Sequence, residues 1–431
     1  MALEGARTDV KSNSPTIPGN ASGVTERLQK HRRTLFLVLC VIGAVAILSS
    51  TMAKSPALPL LAQSLHADDA SIGLIAAISP IPGILISAFA GAYSDKYGRK
   101  PLLLISCLIF ATAPFLYLFV TEPWQLIPIR FYHGFATAIF GPVALAYVAE
   151  LHPKKKGERM GLYSSATVVG RSIAPFLGGA LIGIASFGFV GVYLACAIAG
   201  IIATFLLVVG FRNLPKESEL TERKVDVMSK APVMDGLVAV CRNRTIMTTS
   251  AIEAIQYFAY GAVETFLPIY ATLKGFQPYE IGIMLGVQLV SLLLAKPLMG
   301  SISDRIGRKP VITVGLLLCA GSMVFIPFTA DFLILCTLSM VFGIGVAVTT
   351  SSTSALVADV AKKEHGGSAI GVLSSIMDIG HSTGPLACGI LIGYYGSQTS
   401  LAYQWSYGIV ALMLVFGAVM FHLLVNKNVC G

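Results

Sequence analysis

Long apolar runs cut by short polar segments dominate the hydrophobic pattern of this chain. Twelve such runs recur, at approximately 35–61, 71–93, 101–121, 124–149, 160–185, 188–211, 246–272, 279–302, 310–328, 331–358, 367–394 and 401–425. About 20 apolar residues is the length a helix needs to span a bilayer. Backbone amides in lipid have no water to bond to, so each run is predicted to be a helix and the protein an all-α membrane protein. The polar segments set the expected organisation: a tail over 1–34, a six-helix bundle over 35–211, a linker rich in Lys, Glu, Arg and Asp over 212–245, a second six-helix bundle over 246–425, and a tail over 426–431. The first 34 residues are basic and lack the apolar core of a cleavable leader, so the first span is expected to be retained.

Composition sharpens this picture. The chain has 431 residues, 55% hydrophobic and 12% charged, with a mean hydropathy of +0.75. A soluble domain carries about 25% charged residues, so a water-soluble fold is excluded. With the N-terminus placed inside, four of the 31 Lys and Arg fall in spans, one (Lys274) falls in an outer loop, and the rest fall in inner loops and tails. That bias predicts cytoplasmic N- and C-termini. The net charge of +9 then reads as topology and contact with anionic lipid, not as nucleic-acid binding. The eight cysteines show no C-x-x-C spacing, and those inside spans are expected to be small packing residues. The compact loops fit a bacterial inner membrane or one derived from it, and a monomer is expected.

The sequence is written twice. Gly91-Ala92-Tyr93-Ser94-Asp95-Lys96-Tyr97-Gly98-Arg99-Lys100-Pro101 returns as Gly300-Ser301-Ile302-Ser303-Asp304-Arg305-Ile306-Gly307-Arg308-Lys309-Pro310, an offset of 304 − 95 = 209. Ile72-Gly73 matches Ile281-Gly282, Gly134 matches Gly343, and Glu150 matches Asp359 at the same offset. Gly170, Pro175 and Gly179 match Gly380, Pro385 and Gly389 at an offset of 210. Two six-helix halves of the same sense, pseudo-symmetric in the membrane, are therefore predicted, with substrate and ion sites at mid-depth between them.

The pattern G-x-x-x-D-[KR]-x-G-R-K between spans two and three, and again between eight and nine, resembles the major facilitator superfamily. Two further elements are similar to it. Arg130-Phe131-Tyr132-His133-Gly134 follows R-x-x-Q-G with His133 in place of Gln, and the stretch from Gly170 to Gly179 follows the G-x-x-x-G-P-x-x-G-G element of proton-driven exporters with Ala174 in place of Gly. The resemblance implies a twelve-span transporter of the drug:proton antiporter type, working by alternating access. It also implies that Asp95, Arg99 and Glu150, and in the second half Asp304, Arg308 and Asp359, latch neighbouring helices, with Gly91, Gly98, Gly300 and Gly307 shaping the loops.

Elementary chemistry supports those roles. An acid near a helix terminus and an Arg able to grip a carboxylate can hold two helices together. Charges inside spans are costly and are expected to face a cavity or a partner. Seven ionisable groups, Lys54, Arg130, Arg171, Glu253, Glu264, Lys296 and Asp378, lie in spans with His133 and His381. Glu253 and Lys296 lie near span ends, where a charge can snorkel. Lys54 and Glu264 are placed to pair across the mouth of a cavity. Arg130 and His133 share one helix face, as do Asp378 and His381. Arg171 and His381 are repeat equivalents, one residue after Gly170 and Gly380. Lys54, Arg130, His133, Arg171, Glu264, Asp378 and His381 are therefore the candidate substrate and proton pathway. Gly170, Pro175, Gly179, Gly380, Pro385 and Gly389 are the candidate positions for close packing and bending.

No phosphate-binding loop, nucleophile elbow or zinc spacing is visible, so neither ATP-driven transport nor enzymatic activity is expected, and no cofactor or bound metal. The expected partners are protons, lipid and a small-molecule or ion substrate. The leading substrate expectation is a drug or metabolite leaving the cell. The alternatives are an organic anion, a metal chelate or iron, the last because Met377, Asp378 and His381 cluster on one span. A non-transporting sensor or assembly protein on the same fold remains the alternative of another class.

Overall fold

The computed structural model describes residues 21–152, 155–184, 187–212, 233–361, 366–396 and 399–425. Their regular structure is helical throughout. The first half comprises α1 (Ala21–Lys54), α2 (Ala57–Ser64), α3 (Asp69–Ile78), α4 (Ile81–Tyr97), α5 (Arg99–Leu116), α6 (Leu126–Leu151), α7 (Lys156–Gly183) and α8 (Gly188–Arg212). A ten-residue helix, α9 (Val233–Arg242), lies within the stretch expected to be linker. The second half comprises α10 (Arg244–Leu273), α11 (Pro278–Ile306), α12 (Arg308–Phe325), α13 (Phe332–Val360), α14 (Gly366–Gly396) and α15 (Ser400–Leu424). Helix α1 begins at Ala21, inside the region expected to be tail.

Local chemistry explains where helices stop. Gly98 and Gly307 sit at φ 92° and 97°, a region that L side chains avoid, and each turns one helix directly into the next. The Asp68 carboxylate caps α3 by accepting from the Ser71 N–H at 2.7 Å, which also holds its carboxyl below the usual range. Asn243, Asp331 and Thr399 cap α10, α13 and α15 in the same way.

Among the described residues, ten helical segments are long and apolar enough to cross a membrane. The predicted seventh and eleventh spans are not among them, although α10 and α14 run for 30 and 31 residues. Glu253, Gln256 and Glu264 lower the hydropathy of α10, and Asp378, His381 and several Ser, Thr and Gly residues lower that of α14. The two helices missed by a hydropathy criterion are thus the two that carry Glu253, Glu264, Asp378 and His381 in their middle stretches.

Packing follows the repeat. A Cβ on Gly170 would lie 2.1 Å from the Ala44 carbonyl oxygen, and one on Gly380 would lie 2.1 Å from that of Ala254. Helix α7 thus lies directly on α1, and α14 on α10, at equivalent positions. The contacts between halves repeat as well. Gly282 of α11 faces the Pro175 carbonyl of α7, and Gly73 of α3 faces the Pro385 carbonyl of α14. Gly179 faces the Pro278 carbonyl, and Gly389 faces that of Asp69. These meetings lie at one end of the molecule, called here the closed end. There the apolar core is continuous across the halves, with Ala53, Leu58 and Ile72 joined to Phe266, Tyr270 and Ile281. Toward the other end, which carries the two G-R-K loops, no described glycine brings the halves together as closely. A Cβ at Gly157, Gly161, Gly300 or Gly371 would meet nothing within 4 Å. The close glycine contacts between the halves are thus gathered at the end away from those loops, and the loop end is read here as the open one.

Candidate functional site

On the closed side of the gap, three helices bring charged groups together. Lys54 ends α1, Glu264 lies on α10 and His381 on α14. The Lys54 Nζ is 2.7 Å from Glu264 Oε2, and His381 Nε2 is 3.0 Å from the same oxygen and 3.1 Å from Lys54 Nζ. The side chains are 22%, 11% and 17% exposed, so this is a largely desolvated ion pair joining the two halves. Small residues make the cluster possible. Gly380 and Gly384 let the α14 backbone reach α10, and a Cβ on Gly261 would come 3.1 Å from the His381 ring. Tyr257 and Tyr260 pack their rings on the same imidazole, at centroid distances of 5.9 and 5.6 Å. The imidazole has two roles open to it. With a proton on Nε2 it donates to Glu264, and without one it accepts from Lys54. The adjoining Ser382 hydroxyl donates to the Ala77 carbonyl at 2.5 Å, a second tie between halves.

The other candidates divide. Asp378 does not join His381. It has no ion-pair or hydrogen-bond partner among the described residues and lies near α4, where a Cβ on Gly83 would be 3.6 Å from its Oδ2. The grouping of Met377, Asp378 and His381 around a metal is therefore not formed. Arg130 and His133 are each 2% exposed and belong to the interior of the first half. Arg130 donates to the Tyr117 hydroxyl at 3.3 Å, and Tyr117 stacks on Tyr193 at 4.4 Å. Arg171 is exposed and, among the described residues, has no partner.

The paired loops form paired contacts. Arg99 holds Glu150 through Nη2 at 2.5 Å and donates to the Ser94 hydroxyl. Arg308 holds Asp359 through Nε at 3.2 Å and Asp304 through Nη1 at 2.5 Å, and donates to the Ser303 hydroxyl at 3.1 Å. Gly91 and Asp95 fall within α4, but the Asp95 side chain and the surroundings of Gly91 lie outside the described residues. Each latch joins helices of one half only, which is compatible with a gap between the halves at that end.

Sequence reasoning passed over several residues. Tyr257 and Tyr260 carried a signal, an i, i+3 aromatic pair on a polar helix. The serines of the loop motif, Ser94 and Ser303, were in plain view without a role. Glu253 was read as a charge near a span end, yet it is 2% exposed and accepts from the Thr353 hydroxyl at 2.5 Å.

Taken together, a helical membrane scaffold of two repeated halves joined by a largely buried charged cluster places the protein among membrane transporters. The chain matches the Major Facilitator Superfamily over residues 39–287 and again over 251–429, and it belongs to that family. It is 22% identical over 378 residues to an uncharacterized MFS-type transporter of Methanocaldococcus jannaschii, covering 88% of this chain and 94% of that one. It is 24% identical over 380 residues to a multi-drug resistance efflux pump PmrA homolog of Lactococcus lactis, covering 86% and 91%. To multidrug resistance protein 2 of Bacillus subtilis it is 25% identical over 369 residues, covering 84% and 89%. Among solved structures, the fold is similar to a bacterial homolog of the human lysosomal transporter Spinster in an inward-facing, unoccupied conformation, with a TM-score of 0.78, 16% identity, and coverage of 91% of this chain and 96% of that one. It is also similar to a D-xylose-proton symporter, with a TM-score of 0.73, 16% identity, and coverage of 92% and 98%.

Proposed function

We propose that this protein is a proton-coupled secondary transporter that exports a small organic solute, a drug or a metabolite. The observation that carries this reading is the Lys54–Glu264–His381 cluster. It ties the two halves together at the closed end, and every member can change its partners when a proton arrives or leaves. Protonation of Glu264 removes the charge that holds both Lys54 and His381, and the cross-half tie weakens. Asp378, without a hydrogen-bond or ion-pair partner among the described residues, is the second proton-binding group in this scheme. The halves 35–211 and 246–425 rock about their shared contacts, and the Arg99 and Arg308 latches keep each half rigid while they do so. Lys and Arg crowd the loops of the open end, which makes that end cytoplasmic, the termini cytoplasmic and this conformation inward-open. A monomer in a bacterial inner membrane is the simplest assembly. The relatives named as multidrug pumps favour export over uptake.

The test uses proteoliposomes with a pH-sensitive dye trapped inside and a panel of lipophilic cations, carboxylates, iron salts and iron citrate outside. Expected is a solute-dependent pH change that is lost in Glu264→Gln and in Asp378→Asn. Solute flux with no pH change would remove proton coupling. Binding of a solute without flux in any direction would return the sensor reading.

A further inference from the structure

Arg171 is the repeat equivalent of His381, and the repeat shows what it lacks. His381 faces Glu264. At offsets of 209 and 210 from Glu264 stand Ser55 and Lys54, neither of which can supply a negative charge. Among the described residues Arg171 forms no hydrogen bond or ion pair, and it is exposed. Its charge acts on Lys54, Tyr257, Tyr260, Lys296 and His381. Those side chains come from α1, α10, α11 and α14, so Arg171 looks into the gap and not into lipid.

Helix geometry gives it a companion. Arg171 shares a face of α7 with Pro175 and Gly178, at i+4 and i+7. Pro175 is where α7 touches Gly282 of α11. Lys296 lies two heptads beyond Gly282, on that same face of α11. Helices α7 and α11 thus touch at the closed end, and farther along the touching faces, at about 12 Å from Gly179 and about 21 Å from Gly282, each carries a cation. Lys296 is likewise exposed and has no hydrogen-bond or ion-pair partner among the described residues. The acid nearest to it electrostatically is Glu253, whose bonded partner is Thr353. The other cations in the spans are engaged: Lys54 by Glu264 and Arg130 by Tyr117. Two unpaired cations on facing surfaces of opposite halves repel each other when those surfaces approach.

We propose that Arg171 and Lys296 form an anion subsite shared by the two halves, which takes the carboxylate or phosphate group of the transported solute. The bridging anion offsets the repulsion and lets the open end close, so the solute itself licenses the conformational step. This assignment rests on the transporter reading and narrows its substrate to an organic anion. Arg presents a planar fork suited to two oxygens, and Lys a point charge, so the pair matches a carboxylate or a phosphate monoester.

The test is binding by the full chain in phosphatidylcholine nanodiscs, measured by titration calorimetry. The probe is 1-naphthyl phosphate, with naphthylmethyl-trimethylammonium as the cation of similar shape. Expected is saturable binding of the phosphate, weakened about tenfold or more in Arg171→Gln and in Lys296→Gln, largely kept in Arg171→Lys, and no parallel loss for the cation. Thermal melting of each variant, with a midpoint near that of the parent, identifies folded protein. Should a glutamine variant not fold, Arg171→Lys with Lys296→Arg, read for selectivity between the phosphate and 1-naphthoate, takes its place, and an unchanged ratio overturns the subsite. Absence of phosphate binding by the parent, or an affinity in both glutamine variants equal to that of the parent, also overturns it. Competition by phosphatidylglycerol added to the disc, lost in the same variants, assigns the site to a lipid headgroup and overturns the substrate role. Failure of the transport reading looks different: phosphate binding that depends on Arg171, without flux in the vesicle assay.

Discussion

Glu264 holds two partners with a single oxygen, so the charged cluster at the closed end depends on one carboxylate. Removing Lys54 leaves that carboxylate desolvated with only the imidazole to answer it. Breaking a buried pair from one side costs about 3 kcal/mol or more, whereas replacing both members with apolar side chains of similar size is close to neutral. Lys54→Ala is therefore expected to lower the thermal midpoint in detergent clearly, and Lys54→Met with Glu264→Leu to recover most of the loss while transport stays absent. A double variant as unstable as the single one would mean that the cluster does not act as a charge pair. The cost lies below the limit for a fully buried pair because Lys54 keeps 22% of its side-chain surface. Arg171 shows the complementary situation, a cation that pays no burial cost because it stands in the open gap, and that is why it is available to a ligand.

At the scale of the helix, glycine position matters more than glycine number. Gly380 has the Ala254 carbonyl where its Cβ would be, while Gly371, on the same helix, has open space. Gly380→Val must push α14 off α10 and carry His381 away from Glu264. The expected cost is about 3 kcal/mol, at the upper end for an overpacked site, with loss of transport. Gly371→Ala is expected to keep the fold and, through helix propensity, to gain up to about 1 kcal/mol. Thermal melting of the two variants side by side decides this, and equal destabilisation would contradict the contact. The α3 cap makes a pH-dependent prediction. Asp68 has a folded pKa below its ordinary value because the charged form accepts from Ser71. Its contribution is complete above the unfolded value near 3.8 and disappears as pH falls through the lower folded value. Asp68→Ala is expected to cost about 1 kcal/mol at neutral pH, with the gap between variant and parent narrowing once the medium is more acidic than that range. A gap that does not change with pH would mean that the carboxylate is not the capping group.

For the whole molecule, the sequence contained the plan and withheld the state. The apolar runs, the 209 and 210 offsets and the doubled loop motif foretold a helical protein of two repeated halves, and the mirrored glycine contacts are those offsets expressed in space. Lys54 and Glu264, read as near-symmetric charges at a cavity mouth, do meet. Partnerships within one helix were read less well, because i, i+3 spacing places two side chains on one face without saying what lies opposite: Asp378 and His381 turn to different neighbours, and Arg130 and His133 turn into their own bundle. Which end is shut was not legible at all, since the two halves present the same glycines at both ends and only their relative tilt chooses between them. That tilt makes the last prediction. Gly300 shares a face of α11 with Lys296 and has nothing within 4 Å, whereas Ala76 of α3 is 7% exposed beside the closed contacts. In inside-out vesicles, Gly300→Cys is expected to react with a membrane-impermeant maleimide and Ala76→Cys to stay protected, both in a background where the native cysteines are replaced. A solute that the protein transports should protect Gly300→Cys in these vesicles by closing the loop end, and should expose Ala76→Cys to the same reagent in right-side-out vesicles by parting α3 from α14. Protection of Gly300→Cys in resting inside-out vesicles, with labelling of Ala76→Cys in resting right-side-out vesicles, would place the opening on the opposite side of the membrane.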